Sequence, residues 1–540
     1  MPDSHEYIAS LEDVKIGKNV LESLTRSAYD DCRCILREYV QNAADQIDIA
    51  KEEHLTANDD YAIYVNIETS EKRIVIEDNA TGVQVEEVLP VLRNVACSQK
   101  KRNQRKGFRG IGRLGGLGYC TTLTFITSYK GEPTKSILVW HASEMSRIID
   151  DESDERSASE VVAAVTELKT EKENADKHYF KIILEDVNDA RLLDVSDIKN
   201  YLSMVAPVEI SNSFKPFKDE IKEFMKSNSL TLDTYDLYVN GDPVYKQYTR
   251  SIYDENGGEI DKVQKVECYL RKDSEGKPFY WGWYSICKLE GMLKFRNIAR
   301  GIRLRCKNIQ LGDETNCRRF LPGKQDQRFS DYFFGEIHVL SENLIPDMDR
   351  NYLRVDDART EFEQMATEDF ALLKKLCYDA SGYKSDYNKI ETARKKEEKL
   401  REKKENKGFS SQEELEREQK EFEQSQKEAD KARRSMERRK QQLADSPLAG
   451  IIDTAYTPTY SDLSDHPTSV VKDVVSDPVS HAGGYGSKTS YLRTDKSIYA
   501  KFNKNTKDVI NTVYRVIGDV LSIEAMREAL IAKIEEELTK

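Results

Sequence analysis

The first 230 or so residues predict an α/β fold, an α+β sandwich with helices on one face of a sheet. Three observations carry that prediction. Helical spacing governs Arg37 to Asp45. Short β runs follow: Tyr61 to Glu68 places Ile63, Val65 and Ile67 on one face, and Arg73 to Glu77 is rich in β-branched residues. A glycine-dense segment then precedes an apolar strand, Thr121 to Thr127.

The 540 residues exceed one ordinary domain, so about three units are expected. Residues 1–230 form the first, with an acidic, serine-rich stretch at about 143–177 (Asp150-Asp151-Glu152-Ser153-Asp154-Glu155) read as an exposed insertion. Residues 231–380 form a second α/β unit, a middle or transducer-like domain, dense in aromatics (Tyr280-Trp281-Gly282-Trp283-Tyr284) and closing on a helical Phe362 to Ala380. Residues 386–445 are expected as a charged helix or weak coiled coil. Leu415, Phe422, Ala429, Met436 and Leu443 recur every seventh residue, and Ser410 with Glu413 makes a capping box. The companion positions Glu418, Ser425, Ala432 and Arg439 are mostly polar, so self-association through this seam is expected to be weak. Residues 446–500 read as a flexible Ser/Thr/Asp/Pro-rich linker. Residues 501–540 regain amphipathic helical patterning.

Composition narrows the class. Charged residues make up 33% of the chain against 38% hydrophobic, so part of the length is expected as solvated helix or linker. The net charge of -13 argues against indiscriminate nucleic-acid binding. Nine cysteines without a C-x-x-C pair and seven scattered histidines speak against a disulfide framework and a zinc site. No apolar run approaches the roughly 20 residues needed to cross a bilayer. The polar start, Met1 to Glu6, lacks a signal sequence. A cytoplasmic protein that engages no membrane is expected.

Three blocks carry the chemistry. In the first, Arg37 to Asp45, residues Glu38, Asn42 and Asp45 fall at i, i+4 and i+7 on one helix face. A carboxylate and a carboxamide one turn apart can hold a water and a hydrated Mg²⁺, the acid polarising the water and the amide oxygen ligating the hard cation. Alone, this spacing is an ordinary polar helix face. The second block, Ile74 to Val83, ends an apolar strand in Asp78-Asn79 and a turn containing Gly82. An aspartate there can accept from an exocyclic amine, and the glycine lets a flat base approach the backbone; alone, this is a turn signal. The third block, Lys106 to Gly118, holds six of the chain's 26 glycines, which lets backbone N–H groups converge on an anion. Ser98, Lys100, Lys101, Arg102, Arg105 and Lys106 stand upstream as donors of charge to a phosphate chain. The stretch before the glycines is polar and basic, unlike the strand a Rossmann fingerprint needs, and no P-loop signature is present.

In order and spacing the blocks resemble the GHKL ATPase superfamily, which binds nucleotide in a Bergerat-type fold. Its members include the ninety-kilodalton heat-shock chaperones, MutL, gyrase-type topoisomerases, MORC proteins and histidine kinases. Glu38 to Asp45 matches E-x-x-x-N-A-x-D, Gly107, Gly110 and Gly112 match G-x-x-G-x-G, and Asp78 to Gly82 matches D-x-G-x-G with Ala80 replacing its first glycine. The resemblance implies ATP and Mg²⁺ as ligands. Glu38 is then the general base for the attacking water, Asn42 the Mg²⁺ ligand and Asp78 the adenine reader, with Gly82 in the adenine turn. Lys100, Lys106, Gly107, Gly110, Ile111 and Gly112 belong to the lid around the phosphates, and Asp45 orients the helix. Ala80 should tighten the adenine turn. Phe180, in His178 to Ile182, stands where the family places a base-contacting threonine.

Further along, Ser341 to Arg350 resembles the heat-shock chaperones' middle-domain segment whose arginine swings to the γ-phosphate, which implies Arg350 as catalytic. Gly301 to Arg305, continuing to Gly312, resembles the strand pair before it, and Ser98-x-Lys100 resembles the MORC lid. The resemblance covers about the first 370 residues and does not extend to the chaperones' C-terminal dimerisation domain. Only 37 residues precede Glu38, too few for a histidine kinase's dimerisation helices. Two readings follow. One is a chaperone-like, slow, Mg²⁺-dependent ATPase that closes a lid, forms a nucleotide-dependent homodimer and remodels a protein client. The other is a MORC-like clamp on DNA or RNA, in defence or genome maintenance. Arg296, Arg300, Arg303, Arg305 and Lys307 would line its interior, unless they form a solvated strand face.

Overall fold

The computed structural model describes residues 16–25, 31–95, 112–289, 291–347, 350–406 and 408–451, with residues 506, 510, 513, 531, 533 and 534. Contacts divide the chain into two compact units, Met1–Leu400 with Lys420–Thr468 and Arg401–Gln419 with Ser469–Lys540. All three sheets and both hydrophobic cores lie in the first. Among the described residues no helix is long and apolar enough to cross a membrane.

The chain opens with α1 (Asn19–Thr25), α2 (Cys34–Glu52), β1 (Ala62–Glu68), β2 (Arg73–Asp78) and α3 (Val88–Leu92). Next come β3 (Thr122–Ser128), β4 (Thr134–His141), α4 (Ala142–Asp150), α5 (Ala158–Ala164), β5 (Thr166–Lys172) and β6 (Tyr179–Glu185). Then follow α6 (Val195–Val205), α7 (Phe217–Ser227), β7 (Asp236–Val239) and β8 (Asp242–Pro243). These strands form an eight-stranded sheet in the order β5-β4-β3-β6-β2-β1-β7-β8, antiparallel except where β1 meets β7. The fold is the mixed α/β sandwich expected. Alternation decides its faces: Ile63, Val65 and Ile67 point into the core while Tyr64 and Asn66 point out. Helix α2 lies over the inner face and is buried on most sides, burying Ile35, Leu36, Tyr39, Val40, Ala43 and Ile47.

The stretch 143–177 is not an exposed insertion. Met145, Ile148, Ile149, Val161 and Val165 are buried in the first core, and β5 extends the sheet as its edge. Its outward charges, as at Glu167, Lys169 and Glu171, suit an edge that must not pair further. The acidic run 150–155 is the exposed tip of this subdomain.

The second core is built on β9 (Ser251–Tyr253), β10 (Glu259–Lys262), β11 (Lys265–Lys272), β12 (Pro278–Ile286), β13 (Gly301–Cys306), β14 (Ile309–Leu311) and β15 (Phe334–Val339). The last five form a sheet in the order β11-β12-β15-β13-β14. Trp281 and Trp283 of β12 are buried at its centre, Trp283 edge-on to Tyr248 at 4.9 Å. The cores interleave along the chain. Helix α7 packs Phe217 and Ile221 into the second core, while β7, further along, belongs to the first sheet. A boundary near residue 230 therefore does not separate them.

A buried charge network in the second core reaches the end of α6. Glu336 accepts from Tyr248 (2.8 Å) and pairs with Lys246 (3.0 Å) and Arg305 (2.5 Å). Arg305 also donates to the carbonyl of Met204 at the end of α6 (2.5 Å). Burial, and then Arg305, push Lys246 down to about 7. Burial works against the charge on Glu336, but Arg305 and Lys246 hold it well below the usual carboxylate range. The basic strand residues thus fit neither expectation. Arg300, Arg303 and Arg305 are buried, Arg303 bonding Gln310 and the carbonyl of Ile298, and only Arg296 and Lys307 are exposed.

Two long helices follow, α8 (Asp357–Glu405) and α9 (Gln412–Gln442). The cap of α9 sits one residue beyond the expected box: Ser411 Oγ accepts from Glu414 N, and the Glu414 carboxylate accepts from Ser410 N. The seven-residue stripe is spent within the chain, with Ala429, Met436 and Leu443 in the same cluster as Ala380, Tyr383, Ile390 and Ala393 of α8. The polar companions find polar partners: Arg439 lies over Gly382 and reaches Asp386 at 3.5 Å. A Cβ on Gly382 would sit 2.6 Å from the Arg439 guanidinium carbon, so the glycine makes room for the pair.

That contact gives a sign test in urea denaturation. Gly382→Ala should destabilise the wild type by roughly 1–2 kcal/mol, because Arg439 is displaced and buried Asp386 loses its cross-helix partner. In an Arg439→Ala background the same change should stabilise by about 0.5–1 kcal/mol through helix propensity alone. Equal effects in both backgrounds would mean that Gly382 serves no such purpose.

Candidate functional site

Helix α2 sets Glu38 at the junction of three segments. The 3₁₀ segment Gly112–Gly118 lies against it: Gly116 N donates to Tyr39 Oη at 3.0 Å, and a Cβ on Gly112 would stand 2.6 Å from Glu38 Oε2. Gly112 thus lets the segment approach the carboxylate closely. The other oxygen, Oε1, faces two cations: Arg350 Nε at 3.5 Å and Arg37 Nε at 3.7 Å. Both exceed hydrogen-bond length, and Oε1 accepts no hydrogen bond among the described residues. Asn42, one turn on, is half-buried, and its amide has no partner among the described residues. Asp45 is fully buried within the helix packing.

Arg350 arrives from the second core on a tight turn. Its φ of +54° is an uncommon backbone state for a residue with a side chain, so its neighbours must hold it. Asp347 does much of this, its two carboxylate oxygens accepting from Asn351 N (2.9 Å) and Tyr352 N (3.0 Å). Gly312 N donates to the Arg350 carbonyl (2.8 Å), Asn316 Nδ2 donates to the Asn351 carbonyl (2.7 Å), and Arg319 stacks 3.6 Å above the Tyr352 ring. The contacts named here come from the second core.

At the end of β2 the Asp78 carboxyl is buried, with one oxygen accepting from Ala80 N at 3.1 Å. Burial pushes Asp78 up to about 7 against that bond's opposing pull. Asn79 pins the turn to β1 through Ala62 N and the carbonyl of Asp60. Gly82, at φ +69°, brings the turn so close to β3 that a Cβ would meet the Ser128 carbonyl oxygen at 2.0 Å. The glycine is needed to pack the turn on the sheet, whatever it allows a base to do.

Two comparisons bear on this arrangement. Residues 34–174 match the family described as histidine kinase-, DNA gyrase B- and HSP90-like ATPase. Over those residues this chain carries an ATPase domain of the GHKL kind. The chain is also similar to chaperone protein HtpG of Rickettsia canadensis, 25% identical over 41% of this chain and 39% of that protein. With chaperone protein HtpG of Buchnera aphidicola it shares 22% identity over 56% of this chain and 48% of that protein. It therefore spans less than half the length of these relatives.

Within the GHKL domain, Glu38 and Gly112 meet directly and Arg350 reaches Glu38 from outside it, while Asn42 follows on the same helix and Asp78 and Gly82 stand at the end of β2. Lys100, Lys106, Gly107, Gly110 and Ile111 lie outside the described residues. Three participants went unread in the sequence. Arg37 had only its place beside Glu38 as a signal, and Asp347 only its place after Pro346 at the start of a turn. Thr127, which joins Val83 N to the carbonyl of Tyr179, had none.

A carboxylate accepts from a base amine better than a carboxylic acid does, and burial pushes Asp78 up to about 7. The affinity for Mg-saturated ATP should be about tenfold weaker at pH 6 than at pH 8; a flat calorimetric profile would remove Asp78 from the base contact. Asp347→Ala should free the turn and misplace Arg350, lowering turnover about 10–100-fold with ATP affinity unchanged. Unchanged turnover in a folded Asp347→Ala protein would mean that the turn holds without it.

Proposed function

We propose that the protein is a chaperone-like ATPase: it binds ATP with Mg²⁺, closes a lid, dimerises through its N-terminal domains and remodels a protein client, hydrolysing ATP slowly. The observation that carries this reading is the pairing of Glu38, in the GHKL domain, with Arg350, held by a separate hydrophobic core. An arginine fixed at φ +54° by second-core contacts and aimed at a buried carboxylate is poorly explained as a surface residue.

Glu38 takes the proton of the attacking water, a role that needs a buried carboxylate with an uncommitted oxygen. Asn42 fits a hard cation, its amide oxygen being unpartnered and reachable, and would hold Mg²⁺. When bound, Mg²⁺ neutralises charge on the phosphates. Arg350 faces the acid in this structure; a γ-phosphate competes for it, drawing the guanidinium onto the transferring group and leaving Glu38 to the water. The arginine then stabilises charge that develops in the transition state more than charge in the ground state.

The client and the dimer rest on the likeness to proteins named as chaperones, which this chain matches over less than half their length. The clamp on nucleic acid loses its main support, since three of the five basic residues that would line it are buried.

Glu38→Ala should bind ATP normally and lose turnover by about 10²–10⁴-fold. Arg350→Ala should cost one or more orders of magnitude in turnover with little change in affinity, and lysine should rescue only in part, because it lacks the planar fork. The control is Arg354→Ala, an exposed residue paired with Asp356. Wild-type turnover in Glu38→Ala would end the general-base assignment, and equal losses from Arg350 and Arg354 would point to folding instead of catalysis.

A further inference from the structure

We propose that the base pocket of this site does not distinguish adenine from guanine, and that Phe180 is the residue that sets this relaxed selectivity. The inference rests on the nucleotide-binding reading above and adds to it the class of substrate, purine nucleoside triphosphates.

Asp78, Phe180 and Thr127 stand directly opposite one another across β2, β6 and β3, with Asp78 paired to Phe180 and Thr127 paired to Phe180. Residues opposite in antiparallel strands project from the same face, so the three form one row. The hydrogen-bonding capacity around this row is almost exhausted. Thr127 is buried; its hydroxyl accepts from Val83 N at 2.8 Å and donates to the Tyr179 carbonyl at 3.1 Å. Thr81 spends its hydroxyl on Gln46 Oε1 at 2.7 Å, and His178 Nδ1 is engaged by the Ala80 carbonyl at 2.7 Å. Phe180, half-buried with its ring 5.9 Å from that of Phe125, offers aromatic surface and no polar atom. What remains is Asp78, with one oxygen taken by Ala80 N and the second accepting from no described residue.

A lone acceptor reads an amine and nothing more. Adenine presents its exocyclic amine beside a ring nitrogen that is an acceptor, so selecting adenine requires a donor opposite that nitrogen. Guanine presents an amine beside a ring N–H, two donors that a carboxylate receives equally well. With phenylalanine at the centre of the row and the donors of Thr127, Thr81 and His178 Nδ1 spent, the row itself supplies no donor that would favour adenine or penalise guanine. Sites that leave a buried polar group unpaired reject an analogue by roughly 10⁴–10⁵-fold, whereas apolar contacts alone discriminate by about 10–200-fold. The pocket belongs to the weakly discriminating kind.

The test is calorimetric binding of Mg-saturated ATP and GTP to the full chain at pH 8, where Asp78 is mainly carboxylate, repeated for Phe180→Thr and Phe180→Leu. The wild type should bind the two nucleotides within about fivefold of each other. Phe180→Thr returns a donor to the row and should shift the ratio toward ATP by tenfold or more, while Phe180→Leu should leave it within about threefold. A wild-type preference for ATP beyond fivefold overturns the proposal, as does a Phe180→Thr protein whose ratio matches that of Phe180→Leu. If neither nucleotide binds, the nucleotide-site reading falls with it; ATP bound with strict preference overturns this inference alone.

Discussion

The site depends on one carboxylate that cannot be left alone. Glu38 is buried by its own helix, the 112–118 segment and the sheet beneath, and a buried carboxylate is costly unless a cation meets it. One cation, Arg37, is local to the helix. The other, Arg350, belongs to a turn anchored in the second core. The protein thereby makes the electrostatics of its first core answer to the second. The pair is loose: 3.5 Å is longer than a well-formed hydrogen bond.

That arrangement makes sense of the buried network elsewhere. Glu336, Lys246, Arg305 and the Met204 carbonyl bind the second core to the end of α6 through charged hydrogen bonds that are costly to break singly. Breaking one would strand a charge in an apolar interior.

What was legible in the sequence follows a physical pattern. Glu38, Asn42 and Asp45 could be read because helical spacing is local, and β1 because its alternation is. Arg350 had no local signature and came only through resemblance, since its meaning depends on a fold partner over three hundred residues away. Edge strand β5 was missed because it shows solvent a charged surface with no apolar alternation, and β7 because four residues are too few to make a pattern. The seven-residue stripe in α9 was real, but periodicity says only that a surface is covered and not by whom; here α8 of the same chain covers it. The glycines near Glu38 were likewise real, though at Gly112 the reason is room for a carboxylate.

The interleaving of the two cores bears on how this protein can be taken apart. A fragment ending near residue 230, a natural place to cut by composition, would lack β7 and β8. Strand β1 would then present its unpaired backbone along the register Ala62 to Val65, where Asp236 to Val239 normally lie. Tyr64, which stacks on Tyr238 at 5.4 Å, would be uncovered beside it. An open, apolar, flat edge of that kind recruits other strands, so such a fragment would be lost to aggregation before its chemistry could be assayed. The nucleotide-binding half of this molecule has its end stitched inside the other half's sequence, and must be expressed with it.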